Sequence, residues 1–289
     1  MQTLQRIIWL ASFPKSGNTW TRSFLAQALM PSDKAPGINE LKAFTTSDIR
    51  QDFFDRAAGR PFEARDFDDW LRMRVTVQKL IAGAKPGHHF VKTHCQIQRI
   101  GGIDVIDPTV TAAAVYILRN PFDVAPSYAR HLGVDLDQAI TMMLNPKMLN
   151  ASPTRIFEII GRWDDHIASW TGARGLPMHV MRYEDMIADT ERAFRGLLKF
   201  LQAPVPDGKL RRAIRATSFD ALKKQEAAQG FVERPPTMET PFFTKGKAGA
   251  WREDLSPGQV ARLREGFLPA LEKWYPELLD ETAEVAAKA

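Results

Sequence analysis

The chain has 289 residues, of which 44% are apolar and 25% are charged, as in globular proteins that bury a substantial core. Its net charge of +5 suits an anionic small ligand and is too small to indicate nucleic-acid binding by itself. The single cysteine excludes an intrachain disulfide and a cysteine-based structural zinc site. Because no apolar run reaches roughly 18 residues and the N-terminus lacks a secretory pattern, we expect a cytoplasmic protein without a membrane span.

The first informative segment is S-F-P-K-S-G-N-T-W at residues 12–20, which lies between an apolar run at 7–11 and a helical pattern. A strand, a turn and a helix in this order direct backbone N–H groups towards an anion above the helix start. Lys15 adds a positive charge, and the Ser16 and Thr19 hydroxyls add donors. We expect this turn to bind a phosphate or sulfate group.

This turn differs from the nucleotide-binding loop G-x-x-x-x-G-K-[ST], in which a lysine and a hydroxyl directly follow the second glycine. Gly17 is the second glycine here, but Ser12 takes the place of the first and Asn18 takes the place of the lysine. The lysine of the turn, Lys15, precedes Gly17. The pattern therefore predicts an anion site without the lysine and hydroxyl that serve triphosphate and magnesium, and we expect no bound metal.

Short apolar runs recur along the chain and alternate with helical patterns. The predicted strands cover 7–11, 89–92, 113–118 and 179–182, and the predicted helices cover 155–170, 193–201 and a segment that begins with a capping box at Ser256. This alternation predicts an α/β fold with a central parallel sheet and helices on both faces. Ligands of such sheets bind beyond the carboxyl ends of the strands. The segment 39–70 has no pattern that assigns its elements.

The second predicted strand ends in V-K-T-H, which puts Lys92 and His94 on the same side of the strand. A histidine has an ordinary pKa of about 6.5 and can take a proton from a hydroxyl near neutral pH. Beside an anion site and a lysine, His94 is a candidate general base. Cys95 follows directly, but no neighbouring base supports a nucleophilic thiol, and we expect it to pack in the core.

Two later segments offer further anion-binding groups. The third strand is expected to deliver Arg119, and Asn120-Pro121 begins a helix that carries Ser127; Pro126 inside that helix has no explanation beyond a kink. The segment F-F-T-K-G-K-A-G-A-W-R at 242–252 is a second glycine-containing turn with two lysines, which allows an anion to approach the backbone closely.

The motifs S-F-P-K-S-G-N-T-W, K-T-H, L-R-N-P-x-D-V-A-x-S, R-Y-E-D and K-G-x-A-G-x-W follow in the order found in cytosolic-type sulfotransferases. From about residue 5 to residue 275 the chain resembles this family, whose members use 3′-phosphoadenosine-5′-phosphosulfate (PAPS). The resemblance implies one sulfotransferase domain over 1–289, and we expect about the last ten residues to form a loose tail.

The resemblance also implies a role for individual residues. His94 matches the catalytic base, Lys92 a transition-state partner, and Lys15 both a catalytic and a donor-binding lysine. The other implied donor-binding residues are Ser16, Gly17, Asn18 and Thr19 at the 5′-phosphosulfate, Trp20, Phe219, Thr217 and Tyr183 at the adenine, and Arg119, Ser127, Lys245 and Gly246 at the 3′-phosphate.

Two departures from the family pattern limit what it implies. Thr244 stands where many members have an arginine before Lys-Gly, so the 3′-phosphate is held more weakly or by another cation such as Lys247. The C-terminal dimer motif of many animal members is absent, because Pro257 and Ala261 do not fit it. The oligomeric state is therefore left open.

The predicted function is transfer of the sulfuryl group of PAPS to a hydroxyl or amine of a small-molecule acceptor, an activity of EC class 2.8.2. A magnesium-dependent P-loop kinase is one alternative, since it too uses a strand, a turn and a helix to bind phosphate. A nucleic-acid-binding module is the other, because Lys and Arg crowd residues 208–224. The sequence does not distinguish phenol, sterol, sugar or peptide hydroxyls as acceptors.

Overall fold

The computed structural model describes residues 6–30, 36–63, 65–151 and 156–289. A parallel five-stranded sheet in the order β2-β3-β1-β6-β9 forms its centre. These strands are β1 (Ile7–Ser12), β2 (Thr45–Ser47), β3 (His89–Thr93), β6 (Thr111–Leu118) and β9 (Met178–Arg182). Two small antiparallel pairs lie outside it, β4 (Arg99–Ile100) with β5 (Ile103–Asp104), and β7 (Leu149–Ala151) with β8 (Phe157–Ile159).

Helices cover both faces of the sheet. They are α1 (Asn18–Leu29), α2 (Leu41–Phe44), α3 (Gln51–Ala58), α4 (Phe67–Gly83), α5 (Pro121–Leu132), α6 (Leu136–Met143), α7 (Trp163–Thr171), α8 (Tyr183–Ala188), α9 (Thr190–Phe200), α10 (Asp207–Ala216), α11 (Phe219–Gln229), α12 (Trp251–Asp254), α13 (Pro257–Trp274) and α14 (Leu279–Ala286). Short 3₁₀ turns at Ile38–Glu40 and Pro276–Leu278 complete the order. In the described part of the chain, no helix is both long and apolar enough to cross a membrane.

The alternation of side chains along the central strands separates two apolar cores. On one face of the sheet, Trp9 of β1 and Tyr116 of β6 belong to a cluster that includes Trp170 of α7. On the other face, Leu10 of β1 packs in a second cluster with Phe24 of α1. Since helices cover both faces, β1 in the middle of the sheet is buried throughout, and this confirms the predicted α/β architecture with helices on both sides.

The four predicted strands are confirmed to within two residues of their observed ends. The predicted helix over 155–170 is wrong in its first part, because 157–159 form strand β8 and helix α7 begins only at Trp163. β8 pairs with β7, and Ile160 N–H donates to Met148 O at 3.0 Å, so the backbone bonds between strands replace helical ones. Arg155, at the start of that prediction, lies outside the described residues.

Other parts of the chain add to, or differ from, what the sequence predicted. The segment 39–70 contributes β2 at the sheet edge and helix α3, which packs on α4. Pro126 lies inside α5, where it is buried. The last ten residues, where the sequence predicts a loose tail, include most of helix α14, whose Thr282 is fully buried. The capping box predicted at Ser256 is confirmed, and it begins α13.

Candidate active site

A cavity of about 370 Å³ opens beyond the carboxyl ends of β1, β3, β6 and β9. Thirteen of the predicted site residues line it, namely Lys15, Gly17, Asn18, Thr19, Trp20, Lys92, His94, Arg119, Ser127, Tyr183, Phe219, Lys245 and Gly246. Ser16 and Thr217 do not line the cavity. Ser16 is buried in the turn, and the Thr217 hydroxyl donates to Ala213 O at 2.8 Å in the last turn of α10.

The turn between β1 and α1 is held in a conformation with two positive φ angles. Lys15 has φ +67°, and Gly17 has φ +105° with the Tyr183 ring so close that an added Cβ would lie 2.8 Å from Cδ2 of that ring. The Asn18 side-chain amide donates to Leu10 O at 2.8 Å, which ties the helix start to the strand. Asn18 stands at the position of the lysine in the nucleotide-binding loop. There it both fixes the start of α1 to β1 and lines the cavity.

The Lys15 ammonium group is buried in this cavity and has no hydrogen-bond partner among the described residues. It lies over the ring of Phe242, with Nζ 3.6 Å from the ring centroid. Burial, aided by repulsion from Lys92 and Arg119, lowers the pKa of Lys15 from its usual 10.5 to about 7. A cation held here without a counter-ion is an electrostatic site for an incoming anion.

The His94 ring is oriented by β1. Its Nδ1 lies 2.7 Å from Ser12 O, and because a carbonyl oxygen only accepts, Nδ1 carries the proton and Nε2 keeps its lone pair. Burial, and then the charge of Lys92, lowers the pKa of His94 well below its usual 6.5. The imidazole is therefore neutral near pH 7, with Nε2 able to accept a proton.

Lys92 lies beside His94 and shares a carboxylate with a buried arginine. Glu233 accepts from both Nη atoms of Arg22, at 2.8 and 2.5 Å, and its Oε2 is 3.9 Å from Lys92 Nζ. Burial opposes the charge of Glu233, but Arg22 and Lys92 outweigh it and lower its pKa to about 2. Glu233 thus connects the segment after α11 to α1 and β3 around the cavity.

Arg119 connects the two glycine-containing turns. It donates to Lys15 O at 3.2 Å and to Lys247 O at 3.3 Å, and its guanidinium lies 4.3 Å from the centroid of the Tyr183 ring. Its Nε is buried and has no partner in the part of the chain that the structure describes. Arg119 therefore places a positive charge between the two turns, as predicted for an anion-binding arginine.

The second turn approaches α11 closely. Gly246 has φ +60°, and an added Cβ would lie 2.1 Å from the ring of Phe219. The carboxylate of Asp123 accepts from Gly249 N at 2.7 Å and from Trp251 N at 2.9 Å, which holds the end of the turn on α5. This contact explains the aspartate of the P-x-D-V-A motif, which acts on the backbone of the turn.

The lysines of this turn are both paired with acids. Lys245 Nζ contacts Asp254 at 2.7 Å and Glu253 at 3.1 Å, and Lys247 Nζ contacts Glu253 at 2.5 Å. Lys247 is not among the residues that line the cavity, whereas Thr244 is. The suggestion that Lys247 replaces the family's arginine at the 3′-phosphate stays a prediction, and this arrangement does not support it.

Sequence reasoning missed several polar or aromatic residues of the cavity, namely His131, Asn150, Glu158, Ser218, Glu233 and Phe242. Asn150 and Glu158 come from the β7–β8 pair, which the sequence pattern assigned in part to a helix. Glu233 lies in a segment without secondary structure. No local motif marks these residues, because their proximity to His94 depends on the tertiary fold. Within the described ranges, no group of three or more His, Cys, Asp or Glu side chains could hold a metal ion.

Residues 5–275 match the family described as Sulfotransferase domain, and the chain belongs to this family. Its relatives include Cytosolic sulfotransferase 15 of Arabidopsis thaliana, 24% identical over 279 residues that cover 91% of this chain and 71% of that protein. Sulfotransferase 1A1 of Canis lupus familiaris is 23% identical over 270 residues, covering 91% of this chain and 82% of that protein. Family membership confirms the predicted sulfotransferase class, and it does not favour the kinase or the nucleic-acid-binding module.

Solved structures share this fold. Mouse sulfotransferase SULT7A1 complexed with PAP has a TM-score of 0.60 at 18% identity, covering 99% of this chain and 90% of that chain. Retinol dehydratase in complex with androsterone and PAP has a TM-score of 0.63 at 18% identity, covering 94% of this chain and 81% of that chain. These similarities support the α/β fold.

Proposed function

We propose that this chain transfers the sulfuryl group of PAPS to a hydroxyl or amine of a small-molecule acceptor. The observation that carries the proposal is that one cavity is lined by a buried lysine, Lys15, which has no hydrogen-bond partner among the described residues, and by a neutral imidazole, His94, whose Nε2 can accept a proton. A sulfuryl transfer needs both, because a proton leaves the acceptor while negative charge develops on the leaving phosphate.

The chemistry of the cavity fits a doubly anionic nucleotide. Lys15 Nζ, Ser16 Oγ and Arg119 Nε are buried polar atoms without partners among the described residues, and each could be satisfied by phosphate or sulfate oxygens. The turn at Gly17 and the turn at Gly246 both line the cavity, so each turn can bind one of the two anionic groups of the nucleotide. The two solved structures of similar fold are complexes with PAP, and we carry that nucleotide to this chain as part of the proposal.

In the proposed reaction His94 acts as the general base. Its Nε2 takes the proton of the acceptor hydroxyl, while Ser12 O holds the Nδ1 proton and fixes the ring orientation. The acceptor oxygen forms its bond to sulfur as the bond between sulfur and the phosphate oxygen breaks. Lys15 and Lys92 stabilise the charge on the oxygens of the transferred and leaving groups. The leaving nucleotide keeps the electron pair of the broken bond.

Calorimetry of the purified chain with PAP and with ATP, each with and without magnesium, tests the donor. We expect PAP to bind without magnesium and more tightly than ATP. A screen of hydroxyl acceptors with PAPS labelled in its sulfuryl group then tests the transfer. Absence of PAP binding, or tighter binding of ATP with magnesium, would contradict the proposed function.

A further inference from the structure

A buried carboxylate that forms no ion pair with any described residue lines the same cavity. Glu158 lies on β8, directly opposite Asn150 of β7, and only 7% of its surface is exposed. Both residues line the cavity, and the side-chain amide of Asn150 hydrogen-bonds the carboxylate. No cation of the described residues forms an ion pair with Glu158. Burial of a carboxylate in this way is costly unless a partner arrives.

The β7–β8 pair places this carboxylate near the proposed base. Gln96 N–H, two residues after His94, donates to Ile159 O at 2.8 Å, so β8 is fixed to the segment that follows β3. Glu158 is the neighbour of Ile159 and lines the cavity together with His94, so an acceptor bound in this cavity can meet both side chains. It is not part of either glycine-containing turn.

The cations that surround Glu158 are already engaged. Lys92 Nζ lies 3.9 Å from Glu233, and buried Arg74 pairs with Asp48 at 2.5 Å. His131, another cavity residue, offers no charge, because burial lowers its pKa to about 3. Burial likewise raises the pKa of Glu158 to about 7, although Lys92 acts in the opposite direction. Among the described residues, Glu158 is therefore left without a cation as its partner.

We propose that Glu158 binds a protonated amine of the acceptor, so that the preferred substrates are alcohols or phenols that carry an alkylamine group and whose hydroxyl faces His94. This inference rests on the proposed sulfotransferase function. A cation beside Glu158 restores its charged form and replaces the water it lost on burial. A neutral acceptor of the same shape leaves the carboxylate without a counter-ion and is bound more weakly.

The test compares acceptors that differ only in an amino group and a methyl group. Suitable pairs are tyramine with para-propylphenol, and para-(aminomethyl)benzyl alcohol with para-ethylbenzyl alcohol. With PAPS saturating, kcat/KM is measured for the wild type, for Glu158→Gln, and for Glu272→Gln as a matched change at an exposed glutamate. PAP affinity and the thermal unfolding of each variant are measured alongside.

We expect the wild type and Glu272→Gln to prefer the amine by roughly ten- to a hundredfold, the range of a hydrogen bond to a charged group. Glu158→Gln should lose that preference, through a lower kcat/KM for the amine, and keep PAP affinity. Equal kcat/KM within each pair for the wild type, or an unchanged preference in Glu158→Gln, would overturn this inference and leave the sulfotransferase function intact. Failure to bind PAP and to sulfate any acceptor would instead overturn the proposed function, and this inference with it.

Discussion

At the scale of single residues, the proposed chemistry depends on two side chains whose protonation is set by burial. His94 is neutral because burial and Lys92 lower its pKa, and Ser12 O determines which ring nitrogen keeps the lone pair. Whereas His94 must be neutral to act as a base, Lys15 must be protonated when a nucleotide is bound, although burial lowers its pKa to about 7. The cavity therefore contains a neutral base and a lysine that is only partly protonated at neutral pH.

Removal of the imidazole should abolish proton transfer without removing the nucleotide site. We expect His94→Ala to lower kcat by about 10²- to 10⁴-fold, the usual contribution of general-base catalysis. PAP affinity, measured by calorimetry, should change little, because the described hydrogen bonds of the His94 side chain go to Ser12, at the end of β1, and to none of the residues predicted to bind the nucleotide. His88→Ala, at an exposed histidine, is the control. Turnover of His94→Ala close to that of the wild type would remove His94 from the proposed role.

Binding of the nucleotide should be accompanied by proton uptake at Lys15. Its pKa of about 7 leaves most of this lysine neutral at about pH 8, and a polyanion beside it raises that pKa. We therefore expect PAP binding at about pH 8 to take up close to one proton, and the affinity to fall as the pH rises above about 7. Calorimetry in buffers of different ionisation enthalpy measures the uptake.

Lys15→Arg provides the control for this measurement. A guanidinium stays protonated throughout this pH range, so the arginine variant should bind PAP with little proton uptake. Equal uptake by the wild type and by Lys15→Arg would show that another group takes the proton.

At the scale of elements, the two glycine-containing turns are fixed by contacts that the sequence motifs do not spell out. Asp123 of α5 accepts from the backbone of the second turn, and Glu226 of α11 accepts from Phe242 N and Phe243 N at 2.6 and 2.9 Å. Arg119 then joins the second turn to the first. The shape of the nucleotide site is therefore a property of α5 and α11 as much as of the turns.

The close contact of the second turn with α11 can be tested at Gly246. A Cβ at this position would overlap the Phe219 ring at 2.1 Å, and φ is +60°, so Gly246→Ala should displace the turn or the ring. We expect a loss of PAP affinity of about 1–3 kcal/mol, the usual cost of such backbone strain. Gly258→Ala is the control, because a Cβ there meets nothing within 4 Å. Calorimetry that finds equal PAP affinity in both variants would contradict this role of Gly246.

Across the whole molecule, the sequence predicted the strands that have a local apolar pattern, and it missed cavity residues whose position depends on tertiary contacts. Short apolar runs mark β1, β3, β6 and β9, and ten of the thirteen predicted residues that line the cavity lie in these strands or in the motifs that follow them, whereas Phe219, Lys245 and Gly246 lie in later motifs. The roles of individual residues came from the family resemblance. Glu158 escaped because the stripe of apolar residues around it also fits a helix, and only pairing with β7 decides between the two. Glu233 was not predicted as a cavity residue because its partner Arg22 is distant in the sequence.

A buried ion pair between Arg74 and Asp48 stabilises the fold next to the strand that precedes His94. Arg74 of α4 donates to Asp48 at 2.5 Å and to Val105 O at 2.7 Å, and both charged side chains are fully buried. The Thr93 hydroxyl donates to the same Asp48 oxygen at 2.6 Å, one residue before His94. The pair therefore anchors α4 to the end of the strand that carries the proposed base.

Loss of one partner of this pair should be far more damaging than loss of a surface pair. Arg74→Met leaves the Asp48 charge buried without a cation, and we expect the free energy of unfolding to fall by about 3–5 kcal/mol in denaturant titrations. Arg195→Met, which removes exposed contacts to Glu191 and Asp207, should cost at most about 1 kcal/mol. The double variant Asp48→Asn/Arg74→Met should be more stable than Arg74→Met, because the uncompensated charge is gone. A double variant that is no more stable would show that Arg74 contributes packing and its bond to Val105 O rather than charge.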